Sequence, residues 1–322
     1  MDERRGDRVS TVTRIGLGAA QLGNLSRAID EELARATVDA AWESGIRAFD
    51  TAPHYGLGLS ERRLGGALSM RPRDEFILST KVGRLLVEDP SGIPRADDDG
   101  FAVTSSLRRR WDFSREGILR SIEASLRRLG TDRLDIVYLH DPDEHWDAAS
   151  TTGVDTLIEL REQGVVTAIG AGMNQSPMLT EFVRRCDVDI MMVAGRYTLL
   201  DQSAARDLLP AAAENGVAIV AAGIYNSGLL SSDRPRHGGR FDYRDASPDV
   251  VAKALEIARV CERHGSTLPA AAIAFPLRSD AVTSVVVGAR GADQVSETIA
   301  RYSAPPPPEL WSELEERGLI DE

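Results

Sequence analysis

The chain has 322 residues, a formal net charge of −12 and 42% hydrophobic residues. This composition indicates a globular protein with a sizeable core, and the acidic balance argues against nucleic acid or an anionic membrane as partner. Cys186 and Cys261 lie far apart, which argues against a disulfide framework, and no metal-ligand spacing occurs. Residues 1–10 carry no apolar signal region, and no apolar run approaches the roughly 20 residues of a membrane span. We therefore expect a soluble, cytoplasmic protein without a metal.

Short apolar segments alternate with helical patterns over nearly the whole chain. Eight segments rich in branched and apolar residues predict strands that are buried on both faces: Arg14–Gly18, Ile46–Asp50, Phe76–Lys81, Leu134–His140, Val165–Gly170, Val188–Val193, Val217–Ala222 and Val282–Gly288. Amphipathic patterns between them, several of which end near a glycine, predict helices: Glu31–Glu43, Arg115–Leu129, Thr152–Gln163 and Val250–Arg263.

Eight strands that alternate with helices predict an α/β fold with a parallel sheet, either doubly wound or closed into a barrel. The count favours a (β/α)8 TIM barrel, and so does the absence of a Gly-x-Gly-x-x-Gly turn after the first strand. We predict a single domain over residues 1–322 with a C-terminal helix after the run Pro305–Pro308. Its longest connection, about residues 82–114, is predicted to be a long loop, either functional or disordered.

Four polar residues stand at or just beyond the ends of successive predicted strands. Asp50 ends the second strand, Tyr55 follows in the next loop, Lys81 ends the third strand and His140 ends the fourth. Each alone has a structural explanation, such as a solvated strand end or a buried histidine with satisfied hydrogen bonds. In a barrel, however, these positions converge on one mouth, so their joint placement predicts a catalytic site.

The residue types suit carbonyl–alcohol interconversion. A phenol with a pKa near 10 is a poor proton donor or acceptor at neutral pH. A nearby lysine ammonium is expected to lower the pKa of Tyr55, and an aspartate can hold that lysine in place. A neutral histidine can donate a hydrogen bond to the carbonyl or alkoxide oxygen and orient it for hydride transfer. The sequence thus predicts a proton-transfer centre built from Asp50, Tyr55, Lys81 and His140.

The stretch GIRAFDTAPHYGLGLSERRLGGAL, with STK and YLHDPD further on, resembles the aldo-keto reductase superfamily. The resemblance runs over nearly the whole chain and implies a barrel that binds a nicotinamide cofactor without a Rossmann domain. It also implies that Tyr55 is the general acid/base, that Lys81 and Asp50 tune it, and that His140 orients the substrate.

Three segments differ from the common family pattern at cofactor positions. IGAGMNQ replaces the family's usual Gly-x-Ser-Asn, whose side chains bind the carboxamide, and VAGRYTLLDQ replaces a segment that usually carries Gln. AAGIYNSGLL replaces a run whose tyrosine usually stacks on the nicotinamide, and it supplies the loop on the pyrophosphate side. The residues that we expect to contact the cofactor there are Gly172, Met173, Asn174, Asn226, Ser227, Gly228 and Leu229.

These differences resemble a subfamily of sugar and pyridoxal dehydrogenases, which includes D-threo-aldose (L-fucose) 1-dehydrogenase and pyridoxal 4-dehydrogenase. The resemblance implies oxidation of a cyclic hemiacetal to a lactone. The alternatives are a pyridoxal dehydrogenase, a general carbonyl reductase, or a non-catalytic nucleotide-binding barrel with a regulatory role. The intact set of four residues argues against the last of these.

The segment after the eighth strand bears on the cofactor. Family members that prefer NADP usually carry basic residues there for the 2′-phosphate. Here Gly288 and Gln294 fall at two such positions and Arg290 remains. We therefore expect NAD, with NADP as the alternative if Arg290 reaches the phosphate.

Aromatic residues near the four-residue centre are candidates to wall a sugar pocket, because an aromatic face packs well on a sugar ring. His54 precedes the tyrosine, Trp111 lies in the long loop, and Trp146 follows His140. For Trp111 the alternative is an anchor that holds the loop on the barrel rim. The predicted partner is a small sugar or carbonyl substrate.

Overall fold

The computed structural model describes Val9, residues 12–236 and residues 238–321. Its eight parallel strands form a closed barrel in which neighbours in the chain are neighbours in the sheet. They are β1 (Ile15–Gly18), β2 (Ala48–Asp50), β3 (Ile77–Val82), β4 (Ile136–His140), β5 (Ala168–Met173), β6 (Ile190–Ala194), β7 (Ala218–Ala222) and β8 (Val282–Gly288). The predicted (β/α)8 barrel is confirmed. Residues 1–10, for which we expect no signal region, lie outside the described residues except for Val9.

Helices cover the outside of the barrel. They are α1 (Glu31–Glu43), α2 (Leu59–Leu68), α3 (Arg115–Leu129), α4 (Val154–Glu162), α5 (Ser176–Arg185), α6 (Leu208–Asn215), α7 (Pro248–Arg263), α8 (Leu268–Ala274), α9 (Ala292–Ser303) and α10 (Pro308–Glu316). In the described part of the chain, no helix combines the length and the apolar character that a bilayer crossing requires.

Local capping explains the helices whose ends agree with prediction. The Asp30 carboxylate accepts from the Leu33 N–H ahead of α1, and Ser114 caps α3 by accepting from the Gly117 N–H. Gly130 then ends α3 with a φ of 66°, which glycine adopts without strain. By contrast, α4 begins at Val154 rather than Thr152, because the preceding segment forms a wider π-type turn.

Several strands begin later than predicted, because the apolar residues ahead of them are buried in the turns that enter the barrel. Ile46 and Leu134 are 3% and 2% exposed but precede β2 and β4. The fifth strand begins at Ala168 rather than Val165 and ends at Met173, so Gly172 lies in the strand and not in the loop after it. Its small residues suit close packing, since a Cβ on Gly170 would lie 1.6 Å from a carbonyl oxygen of β6.

The segment predicted as a long loop contains two pairs of antiparallel strands. Arg84–Glu88 pairs with Leu107–Trp111, and Arg95–Ala96 pairs with Thr104–Ser105. We call residues 83–113 the hairpin arm. It leaves the carboxyl end of β3 and folds back over the loop after β1, where the Ser26 N–H donates to the Gly100 carbonyl at 2.8 Å. The arm therefore forms one wall above the barrel mouth.

Candidate active site

The carboxyl ends of the strands open into a cleft of about 690 Å³. Asp50, Tyr55, Lys81 and His140 all line this cleft. The parallel register explains their convergence, because Asp50 pairs with Ser79 of β3, two residues before Lys81. The structure therefore brings together the four residues that the sequence singled out, although they come from different strands.

Asp50 and Lys81 form a buried ion pair beside Tyr55. The Lys81 Nζ lies 2.6 Å from Asp50 Oδ2 and donates to the Thr51 carbonyl at 3.0 Å. Ser79 Oγ donates to the other oxygen of Asp50 at 2.7 Å. The ammonium also lies 5.0 Å from the centre of the Tyr55 ring. A buried charge pair needs such partners, because removing either charge would leave the other without compensation.

Burial raises the pKa of Tyr55 to about 12. The Lys81 ammonium acts in the opposite direction, mainly through its charge, while the Asp50 carboxylate adds to the rise. The lowering of the Tyr55 pKa by Lys81 is thus present, and desolvation acts against it with the larger effect. The phenol is therefore protonated at neutral pH in this environment.

Two histidine rings face the tyrosine. The ring centroids of Tyr55 and His140 are 5.9 Å apart, and those of His54 and His140 are 5.4 Å apart. Burial, together with the nearby Arg84 and Lys81 cations, lowers the pKa of His140 well below its usual value. The same causes lower the pKa of His54 to about 2. Both rings are therefore neutral and can donate one hydrogen bond each.

The predicted cofactor residues lie along the cleft and a groove that continues from it. The groove has a volume of about 350 Å³. Gly172, Met173 and Asn174 line the cleft. The groove is lined by Asn226, Ser227, Gly228, Gly288, Arg290 and Gln294. Leu229 is different: it is 4% exposed and packs in the apolar cluster under α7, so it faces the core.

Two buried amide oxygens in the groove fit a nucleotide that carries an amide and hydroxyl groups. Within the described residues, the side-chain oxygens of Gln21 and Asn226 have no hydrogen-bond partner. Gln21 lines both the cleft and the groove. Because an unpaired buried acceptor is unfavourable, a ligand with amide or hydroxyl donors would satisfy both groups. A nicotinamide dinucleotide carries such donors.

The structure separates the three predicted substrate residues. His54 lines the cleft, whereas Trp111 and Trp146 are not among its lining residues. Trp111 is 43% exposed on the hairpin arm, stacks on Phe113 at 5.9 Å and carries the Arg84 guanidinium 4.5 Å above its ring. Trp146 packs on Phe182 at 4.9 Å, away from the mouth, so it supports an outer helix.

Comparison with known proteins decides the family. Residues 14–317 match the aldo/keto reductase family. The chain belongs to this family. It is 48% identical over 96% of its length to D-threo-aldose 1-dehydrogenase of a Pseudomonas species, of which 95% is covered. It is 37% identical to pyridoxal 4-dehydrogenase of Microbacterium luteolum, again over 96% of this chain and 95% of that one. The holo form of an aldo-keto reductase from Bacillus halodurans superposes with a TM-score of 0.74 at 28% identity, covering 96% and 93% of the two chains.

Several cleft residues of this aldo/keto reductase were not found by sequence reasoning, among them Gln21, Arg84, Asp141 and Tyr243, which carry polar side chains. Gln21 follows β1 and Asp141 follows β4, so their positions at strand ends were a usable signal. Arg84 reaches the cleft from the hairpin arm, and Tyr243 reaches it from a short turn after β7. No periodic pattern in the sequence predicts either of these segments.

Two members of an acidic cluster on the arm pair with one arginine. Asp97, Asp98 and Asp99 bring their carboxylates close together. Arg109 lies 2.5 Å from Asp97 and 2.9 Å from Asp99. Because this guanidinium also donates to the His54 carbonyl at 2.8 Å, the cluster fixes the arm on the catalytic loop.

Proposed function

We propose that this oxidoreductase is an NAD(P)-dependent aldose 1-dehydrogenase that oxidises the anomeric hydroxyl of a cyclic sugar to a lactone. The sugar belongs to the L-fucose or D-threo-aldose class. The observation that carries the proposal is the buried Asp50–Lys81–Tyr55 set facing neutral His140 in an open cleft. The 48% identity to a D-threo-aldose 1-dehydrogenase supports the choice of substrate class.

In this proposal Tyr55 takes the proton of the anomeric hydroxyl while His140 holds the oxygen by a hydrogen bond. A bound nicotinamide supplies the acceptor for the hydride that leaves the anomeric carbon. Tyr55 must first release its own proton to solvent in the open cleft, which a pKa of about 12 opposes. The Lys81 cation stabilises the phenolate, and Asp50 keeps that cation in place at 2.6 Å. The positive charge of a bound oxidised nicotinamide would lower the pKa of Tyr55 in the same way.

The residues that would hold the cofactor are those whose polar groups face the cleft and groove. Asn174, Gln21 and Asn226 offer amides, and Ser227 and the backbone near Gly228 lie further along the groove. The apolar side chains of Met173 and Met192 line the cleft and would exclude water from a flat ring.

We propose NAD as the preferred cofactor because Arg290 is engaged within the protein. Its Nη2 donates to the Leu25 carbonyl at 2.8 Å, and its backbone N–H donates to Gln294 Oε1 at 2.8 Å. Arg301, which also lines the groove, pairs with Glu297 at 3.1 Å. A 2′-phosphate would have to compete with these partners.

A substrate panel tests the proposed reaction. Purified protein is incubated with NAD⁺ or NADP⁺ and L-fucose, D-arabinose, L-galactose or pyridoxal, and the absorbance of the reduced cofactor is followed. Trapping of the product with hydroxylamine identifies a lactone. We expect sugar-dependent reduction of NAD⁺ with a trapped lactone.

Other outcomes select the alternatives. Turnover of pyridoxal without any sugar would select a pyridoxal dehydrogenase. Reduction of simple aldehydes, with no oxidation of any sugar, would select a carbonyl reductase. Cofactor binding without turnover of any of these compounds would leave a non-catalytic nucleotide-binding barrel.

A further inference from the structure

Asp141 lies beside the proton-transfer centre in an unusual backbone conformation. It directly follows His140 and has a φ of 42°. Residues other than glycine rarely adopt this region, and such strain concentrates at functional sites. The Asp141 N–H donates to the Gly172 carbonyl at 3.0 Å, and its side chain lines the cleft. The strand end therefore turns this carboxylate into the cleft.

Arg84 of the hairpin arm fixes this carboxylate from the other side. Its Nη2 lies 2.5 Å from Asp141 Oδ2, and its Nη1 lies 3.3 Å from the His54 Nδ1. The His140 Nε2 lies 3.5 Å from the same Asp141 Oδ2. Among the described residues these contacts use Oδ2, so Oδ1 is the oxygen that would accept a ligand hydroxyl. The ion pair is largely buried, with side-chain exposures of 17% and 20%.

Tyr243 enters the cleft from a two-residue turn between Arg240–Phe241 and Arg244–Asp245. Asp242 and Tyr243 both have positive φ angles, 52° and 62°, which is strained for a bulky residue. The turn is held by neighbouring side chains: the Tyr243 N–H donates to Ser227 Oγ at 2.9 Å. Although 59% of its surface is exposed, Tyr243 lines both the cleft and the groove.

We propose that Arg84, Asp141 and Tyr243 form a subsite that binds the ring hydroxyls of a cyclic sugar. The charges of Arg84 and Asp141 cancel, so the subsite suits a neutral ligand better than a carboxylate or phosphate. It combines donors and an acceptor, and a sugar hydroxyl both donates and accepts. Phe101, tilted 30° against the Tyr55 ring, also lines the cleft and offers an apolar face. This subsite rests on the proposed function and specifies how the sugar is recognised.

The test compares two lactols that differ in their ring hydroxyls. L-Fucose carries them, whereas 2-hydroxytetrahydropyran has the reacting hydroxyl alone. Asp141→Asn and Tyr243→Phe are each expected to lower kcat/KM for L-fucose roughly tenfold or more, mainly through KM. Oxidation of 2-hydroxytetrahydropyran should change by less than about twofold. Arg108→Met, an exposed arginine of the same arm, is the control and should alter neither.

An equal loss on both lactols would overturn the subsite, because the residues would then act on the catalytic centre. No loss on L-fucose would overturn it as well. If the unmodified protein oxidises neither lactol, the proposed function fails and calorimetry decides the subsite. Binding of L-fucose to the NADH-saturated protein that is weakened by Asp141→Asn supports it, and absent or unweakened binding overturns it.

Discussion

Burial and charge act in opposite directions on the Tyr55 hydroxyl. Burial holds the phenol in its neutral form, while Lys81 favours the phenolate. We expect Tyr55→Phe to lower kcat by about 10²- to 10⁴-fold, because it removes the hydroxyl that accepts the substrate proton without emptying the site. NADH binding, measured by fluorescence quenching, should remain within a few-fold of the unmodified protein. Tyr302→Phe, on the outer helix α9, is the matched control and should keep full turnover. Near-normal turnover of the Tyr55 variant would contradict its role.

Asp141 gives the site a pH dependence of its own. Burial raises the pKa of Asp141 to about 6, against the opposing charges of Arg84 and Lys81 and with Asp143 adding to the rise. A raised carboxyl pKa stabilises the fold at low pH, and this stabilisation is lost as the pH rises through about 6. Sugar binding at the subsite has the opposite pH dependence. The carboxylate form of Asp141, which pairs with Arg84 and accepts hydroxyls, is lost as the pH falls.

We therefore expect kcat/KM for L-fucose to fall as the pH drops below about 6, chiefly because KM rises. The neutral neighbours His140 and Tyr243 do not titrate in this window, because burial lowers the pKa of His140 and a phenol ordinarily titrates near pH 10. Steady-state rates across the acidic range check this. The acidic limb should be absent in Asp141→Asn, and its persistence there would assign the titration to another group.

Two adjacent glycines of α2 allow the effect of close packing on stability to be distinguished from the effect of helix propensity. A Cβ on Gly65 would lie 2.1 Å from the Leu129 carbonyl oxygen, whereas a Cβ on Gly66 meets nothing within 4 Å. Gly65→Ala is expected to lower the free energy of unfolding by about 1–3 kcal/mol, because α2 and α3 must move apart. Gly66→Ala should raise it by about 0.5–1 kcal/mol, since alanine favours an exposed helix interior. Urea unfolding midpoints compare the two, and equal effects would contradict the packing argument.

The packing of α2 also affects the active site, because α2 carries a buried carboxylate. Glu61, which is fully buried, accepts from Thr80 Oγ1 at 2.9 Å and from Arg128 Nε at 2.6 Å. Thr80 precedes Lys81 in β3, so the contact between α2 and α3 supports the strand that presents the lysine. A shift of α2 in Gly65→Ala should therefore lower kcat as well as stability.

Elements whose ends depend on local chemistry were predictable, and those fixed by tertiary contacts were not. The limits of α1 and α3 follow from Asp30, Ser114 and Gly130, whose effects act within one turn. The start of β5 depends instead on which residues enter the barrel wall. The longer antiparallel pair of the hairpin arm carries charged residues on both faces, and its apolar run Leu85–Val87 lies opposite arginines, so it lacks the alternating pattern of a half-buried strand pair.

At the scale of the molecule, the barrel converts sequence positions into spatial neighbours. Parallel strands place all their carboxyl ends at one mouth. The positions of Asp50, Lys81 and His140 at strand ends therefore predict that they line the same cleft, as they do. The rule does not predict side chains on segments that leave a strand end and fold back over the mouth. Arg84 and Tyr243 reach the cleft because the arm and the turn fold back over the mouth, whereas Trp111 and Trp146 point to other partners.

Cofactor binding should stabilise the whole barrel, and the size of the effect distinguishes the two nucleotides. A ligand at 100 times its Kd adds about 2.7 kcal/mol to the free energy of unfolding. NADPH carries an additional phosphate into a protein with a net charge of −12, where Arg290 and Arg301 already have partners. We expect NADH to raise Tm more than NADPH at equal concentration. Arg290→Ala should leave this order unchanged, because its guanidinium holds Leu25 and not the nucleotide. A larger shift with NADPH that disappears in Arg290→Ala would show that the arginine leaves Leu25 to bind the phosphate.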